Sequence, residues 1–304
     1  MQFGSGNVDC GNIMNSYNNV TVKNTDEDNL IRLWLSPLEP RHRHRTVQAN
    51  RVEGVGGWLL ENSEFRGWSD SQGASKQAVL FCYGDPGVGK THIRSVRTPP
   101  PNNWILLTPG DTSSLVIDYL YEQVRNRNIP VAGLYCDYLA QEQQQSPTNM
   151  LGAILKQLFA RDGIPESLRQ AFHEGKSVLG GRAMEISALV EILKATIILL
   201  PGVFICIDAL DECPPKNRPK LLQSLQAIVR ASPTTRIFLT GRPHVRAEVR
   251  RYFPEAIMIP VIPTIEDIER YLNMRLGEDT SPSAMDDSLR VEIMKVIPRN
   301  ISGM

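Results

Sequence analysis

Two kinds of block alternate along most of the chain. Short blocks are apolar almost without interruption, which is typical of strands buried on both faces. Longer blocks between them carry apolar residues at helical spacing. The predicted strands are 78–83, 131–138, 203–208, 235–240 and 256–259, and the predicted helices are 115–127, 149–160, 183–200, 218–231 and 265–276. Strands separated by helices of this length pair in parallel, so the pattern predicts a three-layer α/β domain.

The first 25 residues differ from the rest in composition. They are rich in Asn, Gly and Ser and have no amphipathic period, which predicts a disordered tail. The alternative is a self-assembling, Asn-laddered β-segment over 11–23. No basic region followed by an apolar stretch opens the tail, so no secretory signal is predicted and we expect a cytoplasmic protein.

Helical spacing returns between the tail and the first strand. It covers 26–35, where prolines 37 and 40 end the block, and 58–68. We therefore expect a helical segment over 26–70 ahead of a core domain over 75–276. Residues 277–304 are expected to be the start of a further helical region that is cut short.

A phosphate-binding loop follows the first predicted strand. Its sequence, Gly84-Asp85-Pro86-Gly87-Val88-Gly89-Lys90-Thr91, fits the pattern GxxxxGK[ST]. In this pattern the glycines let backbone N–H groups face phosphate oxygens, the lysine adds a positive charge, and the last hydroxyl reaches Mg²⁺. Because a buried strand leads directly into it, the loop is predicted to bind the phosphates of a nucleoside triphosphate, with Thr91 as a ligand of Mg²⁺. The alternative is a glycine-rich turn without a ligand.

Acidic residues close the third predicted strand. Asp208 is its last residue, and Asp211 and Glu212 follow within one turn. The carboxyl ends of parallel strands meet at one edge of a sheet, where Asp208 can hold Mg²⁺ opposite Thr91. Asp211 or Glu212 would then orient or deprotonate the attacking water. The alternative is that these acids only cap the next helix.

The fourth predicted strand ends at the same edge. Thr240 and Arg242 lie at its carboxyl end, in the sequence Thr-Gly-Arg-Pro. An arginine in this place can sense or stabilise the γ-phosphate of a bound nucleotide. Arg242 is therefore a candidate catalytic residue, although a surface arginine after a strand is common.

Composition and charge exclude little else. The formal net charge is zero, so nothing global indicates a nucleic acid or an anionic membrane as partner. The basic run 41–45 is either a solvated helix face or a site that docks something acidic. The five cysteines lack metal-ligand spacing, and Cys82, Cys136 and Cys206 lie in apolar runs, which predicts core residues of an intracellular protein. No apolar run is long enough to span a membrane.

Together these motifs resemble the NACHT-type P-loop NTPases of the STAND class. Within that class, the sequence is most similar to the NACHT domains of fungal NLR-like proteins, which are grouped with the nephrocystin-3-like N-terminal domain. The stretches that carry the resemblance are 34–37, 54–60 with 64–65 and 68, 84–91, 134–138, 207–212 and 240–243.

The resemblance implies a fold and a function. It implies a central five-stranded parallel sheet in the order 5-1-4-3-2. It also implies Mg²⁺-dependent binding of ATP or GTP, with slow hydrolysis that controls self-association in signalling. In that family the segment equivalent to 51–58 borders the base and ribose; a packing turn under the sheet is the alternative.

Two features depart from the family pattern. Prolines and Asn-Asn and Pro-Gly pairs interrupt the helix that should follow Thr91, and removal of residues 96–114 restores the family's first helix without a gap. We expect these 19 residues to be translated intron sequence or a genuine surface insertion. The chain also ends where the family continues into a winged-helix region and repeats.

The sequence thus favours a truncated NACHT/STAND nucleotide switch and probable slow NTPase. Two other functions stay open. One is a P-loop ATPase or kinase with fast turnover, and the other is a non-catalytic interaction fragment in which the inserted segment distorts the phosphate loop.

Overall fold

A single parallel sheet organises the chain. The computed structural model describes residues 26–49, 51–70, 77–85, 112–140, 143–159, 163–177, 184–277 and 286–301. The strands are β1 (Val79–Tyr83), β2 (Val131–Tyr135), β3 (Val203–Asp208), β4 (Thr235–Gly241) and β5 (Ile257–Pro260). All pairings are parallel and the order is β2-β3-β4-β1-β5. Read from the other edge this is 5-1-4-3-2, so the predicted fold class, a three-layer P-loop NTPase fold, is confirmed.

Helices cover both faces of the sheet. They are α1 (26–35), α2 (Pro40–Ala49), α3 (Trp58–Glu61), α4 (Ser63–Asp70), α5 (Thr112–Gln123), α6 (Pro147–Leu158), α7 (Glu166–Ser177), α8 (Ile186–Ile198), α9 (Arg218–Ala231), α10 (Arg246–Tyr252), α11 (Ile265–Gly277) and α12 (Asp287–Ile301). Within the described ranges, no helix combines the length and the apolar character that a bilayer crossing demands.

Alternation along the strands divides the core into two apolar layers. On β1, Val79 and Phe81 face one layer, whereas Leu80 and Cys82 face the other. The first layer includes buried residues of α1, α6, α8, α9 and α10, and the second includes those of α3, α4 and α5. Strands buried on both faces explain why they read as continuous apolar runs.

The helices ahead of β1 belong to these layers. The Trp68 indole donates a hydrogen bond to the Ala78 carbonyl (3.1 Å) and packs against Phe204 and Phe238. On the other face, α6 approaches the end of α1 so closely that a Cβ at Gly152 would lie 2.1 Å from the Leu35 carbonyl oxygen. The segment over 26–70 is thus packed on the sheet.

A buried lysine fastens the link between α1 and α2. The Lys156 ammonium donates hydrogen bonds to the carbonyls of Ser36 (2.9 Å) and Leu38 (3.0 Å) and pairs with the Glu39 carboxylate (2.8 Å). Three oxygen partners satisfy its three donors, which offsets the cost of burying the charge.

Several element boundaries differ from the prediction by a few residues, and two of these differences concern the end of β2 and the start of α5. The β2 strand ends at Tyr135 rather than at residue 138, because Asp137 turns the chain: its N–H donates to Gln145 Oε1 (3.1 Å) and its carboxylate accepts from the Leu139 N–H (3.0 Å). Helix α5 begins at Thr112 rather than at residue 115, so the last three residues of the predicted insertion are helical. The predicted tail over 1–25 and the rest of the insertion, 96–111, lie outside the described residues.

Candidate functional site

Three strands deliver the predicted site residues to one edge of the sheet. Gly84 follows β1, Asp208 ends β3, and Arg242 follows β4. The Gly84 N–H donates a hydrogen bond to the Gly241 carbonyl (3.3 Å), so the phosphate loop starts beside the turn that carries Arg242. Of the predicted loop, the structure describes Gly84 and Asp85, whereas Pro86, Gly87, Val88, Gly89, Lys90 and Thr91 lie outside the described residues.

The Asp208 carboxylate is buried among hydroxyl groups. Its side chain is 1% exposed, and Oδ1 accepts hydrogen bonds from Thr240 Oγ1 (2.6 Å) and from the Ser113 hydroxyl. Thr240 Oγ1 in turn accepts the Ala209 N–H (2.9 Å). A buried carboxylate needs such donors, because an unpaired buried charge is costly.

A tight turn then presents the two following acids. Ala209 has a left-handed backbone (φ 53°), an uncommon conformation for a residue with a Cβ. It leads into a single 3₁₀ turn over Leu210–Glu212, in which the Glu212 N–H donates to the Ala209 carbonyl (2.8 Å). Strained backbone of this kind is concentrated at functional sites.

Asp211 forms an ion pair with Arg242. Its Oδ2 lies 3.0 Å from Arg242 Nε, and its Oδ1 accepts the Arg242 backbone N–H at 3.1 Å. The carboxylate is 6% exposed, whereas the Arg242 side chain is 45% exposed. Asp211 therefore holds both the backbone N–H of Arg242 and the Nε side of its guanidinium, while the rest of the Arg242 side chain reaches solvent at the sheet edge.

Glu212 has the electrostatics of a proton acceptor near neutral pH. Burial raises the pKa of Glu212 to about 7; the hydrogen bond from the Tyr138 N–H (3.2 Å) lowers it, and the charges of Asp211, Asp208 and Asp137 raise it. General bases work best when their pKa lies near the working pH. Of the two acids in the turn, Glu212 is thus the one with an available carboxylate and a suitable pKa.

The oxygen donors at this edge fit Mg²⁺ delivered with a nucleotide. Asp208 supplies a carboxylate and Thr240 and Ser113 supply hydroxyls, all of them hard ligands. Within the described ranges no group of three or more His, Cys, Asp or Glu could hold a metal by itself. Mg²⁺ is usually bound through one or two carboxylates plus substrate phosphates, so a single buried aspartate is the expected arrangement.

A histidine of the basic run 41–45 contacts an acidic residue of α5. His44 Nε2 lies 3.0 Å from Asp118 Oδ1, and His44 Nδ1 lies 2.6 Å from the hydroxyl of Tyr135, the last residue of β2. Arg51 Nη1 donates to Asp118 Oδ2 (2.7 Å). Burial favours a raised pKa for Asp118, but the hydrogen bonds from His44 and Arg51 outweigh it and leave that pKa lowered. Helix α2 is thus docked on α5 and β2 through His44, and Arg51, which follows the helix, adds a second contact to Asp118.

The segment after α2 packs against α11. Val52 and Val55 form a small apolar cluster with Tyr271. Arg270 donates a hydrogen bond to the carbonyl of Gly54, whose positive φ of 77° favours glycine. The segment 51–58 thus packs against α11. A role beside the base stays a prediction.

Sequence reasoning missed Ser113. The residue was assigned to the insertion, whereas it occupies the first turn of α5 and touches Asp208. One signal was available in the sequence: two serines stand directly before the apolar residues of α5, at the amino end of the helix.

The family model of the nephrocystin 3 N-terminal domain matches residues 54–97 and 96–242 of this chain. The matched part exceeds half of the sequence and includes residues 84–91, Ser113, Asp208, Asp211, Glu212 and Arg242. The chain belongs to the nephrocystin 3 N-terminal family. A comparison with curated proteins found no match.

Solved structures show distant likeness. The Cdc6 protein of Pyrobaculum aerophilum is 16% identical, with a TM-score of 0.39 over 75% of this chain and 49% of its own. A Walker-type ATPase of Pyrococcus abyssi is 15% identical (TM-score 0.42; 80% and 61% covered), and the Orc1 protein of Aeropyrum pernix, solved with DNA, is 14% identical (TM-score 0.39; 90% and 64% covered). The chain spans less than two thirds of each of them.

Proposed function

We propose that this member of the nephrocystin 3 N-terminal family is a nucleotide switch of the NACHT type. It binds ATP or GTP with Mg²⁺ and hydrolyses it slowly, and its nucleotide state controls self-association. The observation that carries the proposal is the convergence of Gly84, Asp208, Glu212 and Arg242 at the carboxyl edge of β1, β3 and β4.

The binding half of the site has two parts. Residues 84–91 surround the phosphates, with Lys90 as the cation and the Thr91 hydroxyl directed to the metal. Asp208 completes the metal site from β3, where its burial and its hydroxyl partners hold it in one orientation. Mg²⁺, when bound there, neutralises phosphate charge that develops during hydrolysis.

The reactive half assigns different roles to the two acids. Glu212 accepts a proton from the attacking water, since its pKa is near neutrality and its carboxylate is half-buried. Asp211 holds Arg242, and Arg242 contacts the γ-phosphate. The segment 51–58 is proposed to border the base, with the ribose beside it.

Turnover separates a switch from a fast ATPase or kinase. We expect single-turnover hydrolysis of radiolabelled ATP, with the chain in excess, to take minutes, because a switch must persist in its bound state. In the same samples, size-exclusion chromatography with light scattering should show larger species with a non-hydrolysable ATP analogue than with ADP. Turnover within a second, or an identical size with both nucleotides, would contradict the proposal.

The segment between the loop and α5 is proposed to be foreign to the domain. Both parts of the family match, 54–97 and 96–242, run into this segment, so the proposal rests on the prolines that interrupt the helix after Thr91 and on the helical register that removal of the segment restores. Because Thr112, Ser113 and Ser114 belong to α5, the 19 surplus residues are better placed at 93–111 than at 96–114; the helical register that results is the same.

Deletion of residues 93–111 is expected to raise both the melting temperature and the affinity for ATP. The deletion joins the loop to a helix whose inner face is already packed, with Val116, Ile117 and Leu120 buried. An uninterrupted first turn presents its N–H groups to phosphate. Thermal unfolding and calorimetric titration of ATP measure the two effects.

The matched control is deletion of 95–111. It leaves two extra residues, which rotate the loop by about 200° relative to α5, so it should not give the same gain. Equal gains from both deletions, or loss of folding in the first, would show that the segment belongs to the native domain. If the unmodified chain binds no fluorescent ATP analogue and the 93–111 deletion variant does, the unmodified chain is the non-catalytic fragment.

A further inference from the structure

Ser113 reaches the proposed metal site from a different element. It lies in the first turn of α5, is fully buried, and its hydroxyl donates a hydrogen bond to Asp208 Oδ1. The same hydroxyl lies 3.4 Å from Thr240 Oγ1. Residues from α5, β3 and β4 thus meet at one carboxylate oxygen.

Two donors on the same oxygen determine how the carboxylate is turned. The torsion that rotates an aspartate carboxylate is broad, so its own preference does not select one orientation. Hydrogen bonds from Ser113 and Thr240 (2.6 Å) to Oδ1 select it, and thereby set the direction of Oδ2. Thr240 is itself held by the Ala209 N–H (2.9 Å), whereas Ser113 is held by the helix.

We propose that Ser113 is a positioning residue of the metal site, which orients Asp208 toward Mg²⁺. The proposal rests on the proposed function, because it concerns the metal that accompanies the nucleotide. Partners that orient metal-binding side chains typically change metal affinity by about 10- to 100-fold when they are removed. Because α5 carries Ser113, the position of this helix affects the affinity for Mg²⁺ through the Ser113 hydroxyl.

The neighbouring serine provides a matched control. Ser114 is also fully buried and belongs to the same turn of α5, but its hydroxyl accepts a hydrogen bond from Arg51 Nη1 (3.4 Å) on the side of Asp118. Ser114→Ala removes the same atom from the same turn without removing the contact to Asp208.

The experiment measures the Mg²⁺ concentration that gives half-maximal binding of a fluorescent ATP analogue. Ser113→Ala is expected to raise that concentration about tenfold, whereas binding of the analogue in EDTA should not change. Ser114→Ala should leave the half-maximal concentration unaltered. A role in stability alone would lower the melting temperature of Ser113→Ala without moving its Mg²⁺ dependence.

A second variant guards against loss of folding. Ser113→Cys keeps the shape of the side chain, with a somewhat larger atom, but replaces the hydroxyl by a weaker donor, and it should also raise the half-maximal Mg²⁺ concentration. An unchanged concentration in the folded Ser113 variants would overturn the proposal. A lowered concentration would overturn it too, because it would mean that the hydroxyl competes with Mg²⁺. If the unmodified chain binds no nucleotide, the proposed function itself fails, which is a different result.

Discussion

Replacement of Lys90 by alanine is expected to weaken ATP binding so far that a concentration that just saturates the unmodified chain no longer saturates the variant. Lys90 is the single cationic residue within 84–91. A hydrogen bond to a charged group contributes about 1.5–3 kcal/mol, so its loss weakens binding by about 10- to 150-fold. Isothermal titration calorimetry of ATP in the presence of Mg²⁺ measures the change.

A lysine far from the loop serves as the control. Lys194 lies on α8, ahead of the amino end of β3, and pairs with Glu191 (2.8 Å). Lys194→Ala should bind ATP like the unmodified chain, and both variants should unfold at the same temperature as it does. Unchanged affinity in Lys90→Ala would show that the phosphates bind elsewhere.

Glu212→Gln is expected to preserve ATP binding and to slow hydrolysis by about 100- to 10,000-fold, the usual contribution of a general base. The amide keeps the size of the side chain and can still accept the Tyr138 N–H, but it cannot take a proton from water. Single-turnover hydrolysis with the variant in excess over ATP measures the rate without interference from product release.

The pH dependence gives the same prediction a second readout. Only the ionised carboxylate accepts a proton, so the rate of the unmodified chain should rise with pH as Glu212 deprotonates, with a midpoint at or below about 7 because Mg²⁺ near Asp208 favours ionisation. The residual rate of Glu212→Gln should lack this rise.

A change at Asp208 should act on the other half of the site. Asp208→Ala is expected to weaken Mg²⁺-dependent binding itself, since it removes the buried carboxylate at the end of β3. A Glu212→Gln variant that binds poorly yet hydrolyses at the normal rate would mean that the two roles are assigned wrongly.

The sheet could be predicted because its strands are buried on both faces. Short, continuous apolar runs such as 203–208 and 235–240 indicate buried strands rather than helices when helical blocks separate them. The order of the strands came from the family resemblance, since periodicity carries no information about which strands are neighbours. Short helices such as α10, seven residues with three arginines, have too few apolar positions to show a period.

The location of the site could be predicted from the sequence, but the separate roles of its residues could not. The sequence places Asp208, Asp211, Glu212 and Arg242 at one edge because Asp208 ends a parallel strand and the other three closely follow the carboxyl end of one. The ion pair that commits Asp211 to Arg242, 31 residues away, depends on tertiary contacts that no local pattern encodes. The same holds for the Ser113 hydroxyl, which meets Asp208 across 95 residues.

The central claim is that a nucleoside triphosphate and Mg²⁺ bind together between residues 84–91 and Asp208. Calorimetric titration of ATP into the unmodified chain, once with Mg²⁺ and once with EDTA, tests it most directly. We predict saturable binding of one ATP per chain with Mg²⁺, and binding at least about tenfold weaker in EDTA, because the metal neutralises phosphate charge next to a buried carboxylate. Equal affinity under both conditions, or no saturable heat in either, would contradict the account.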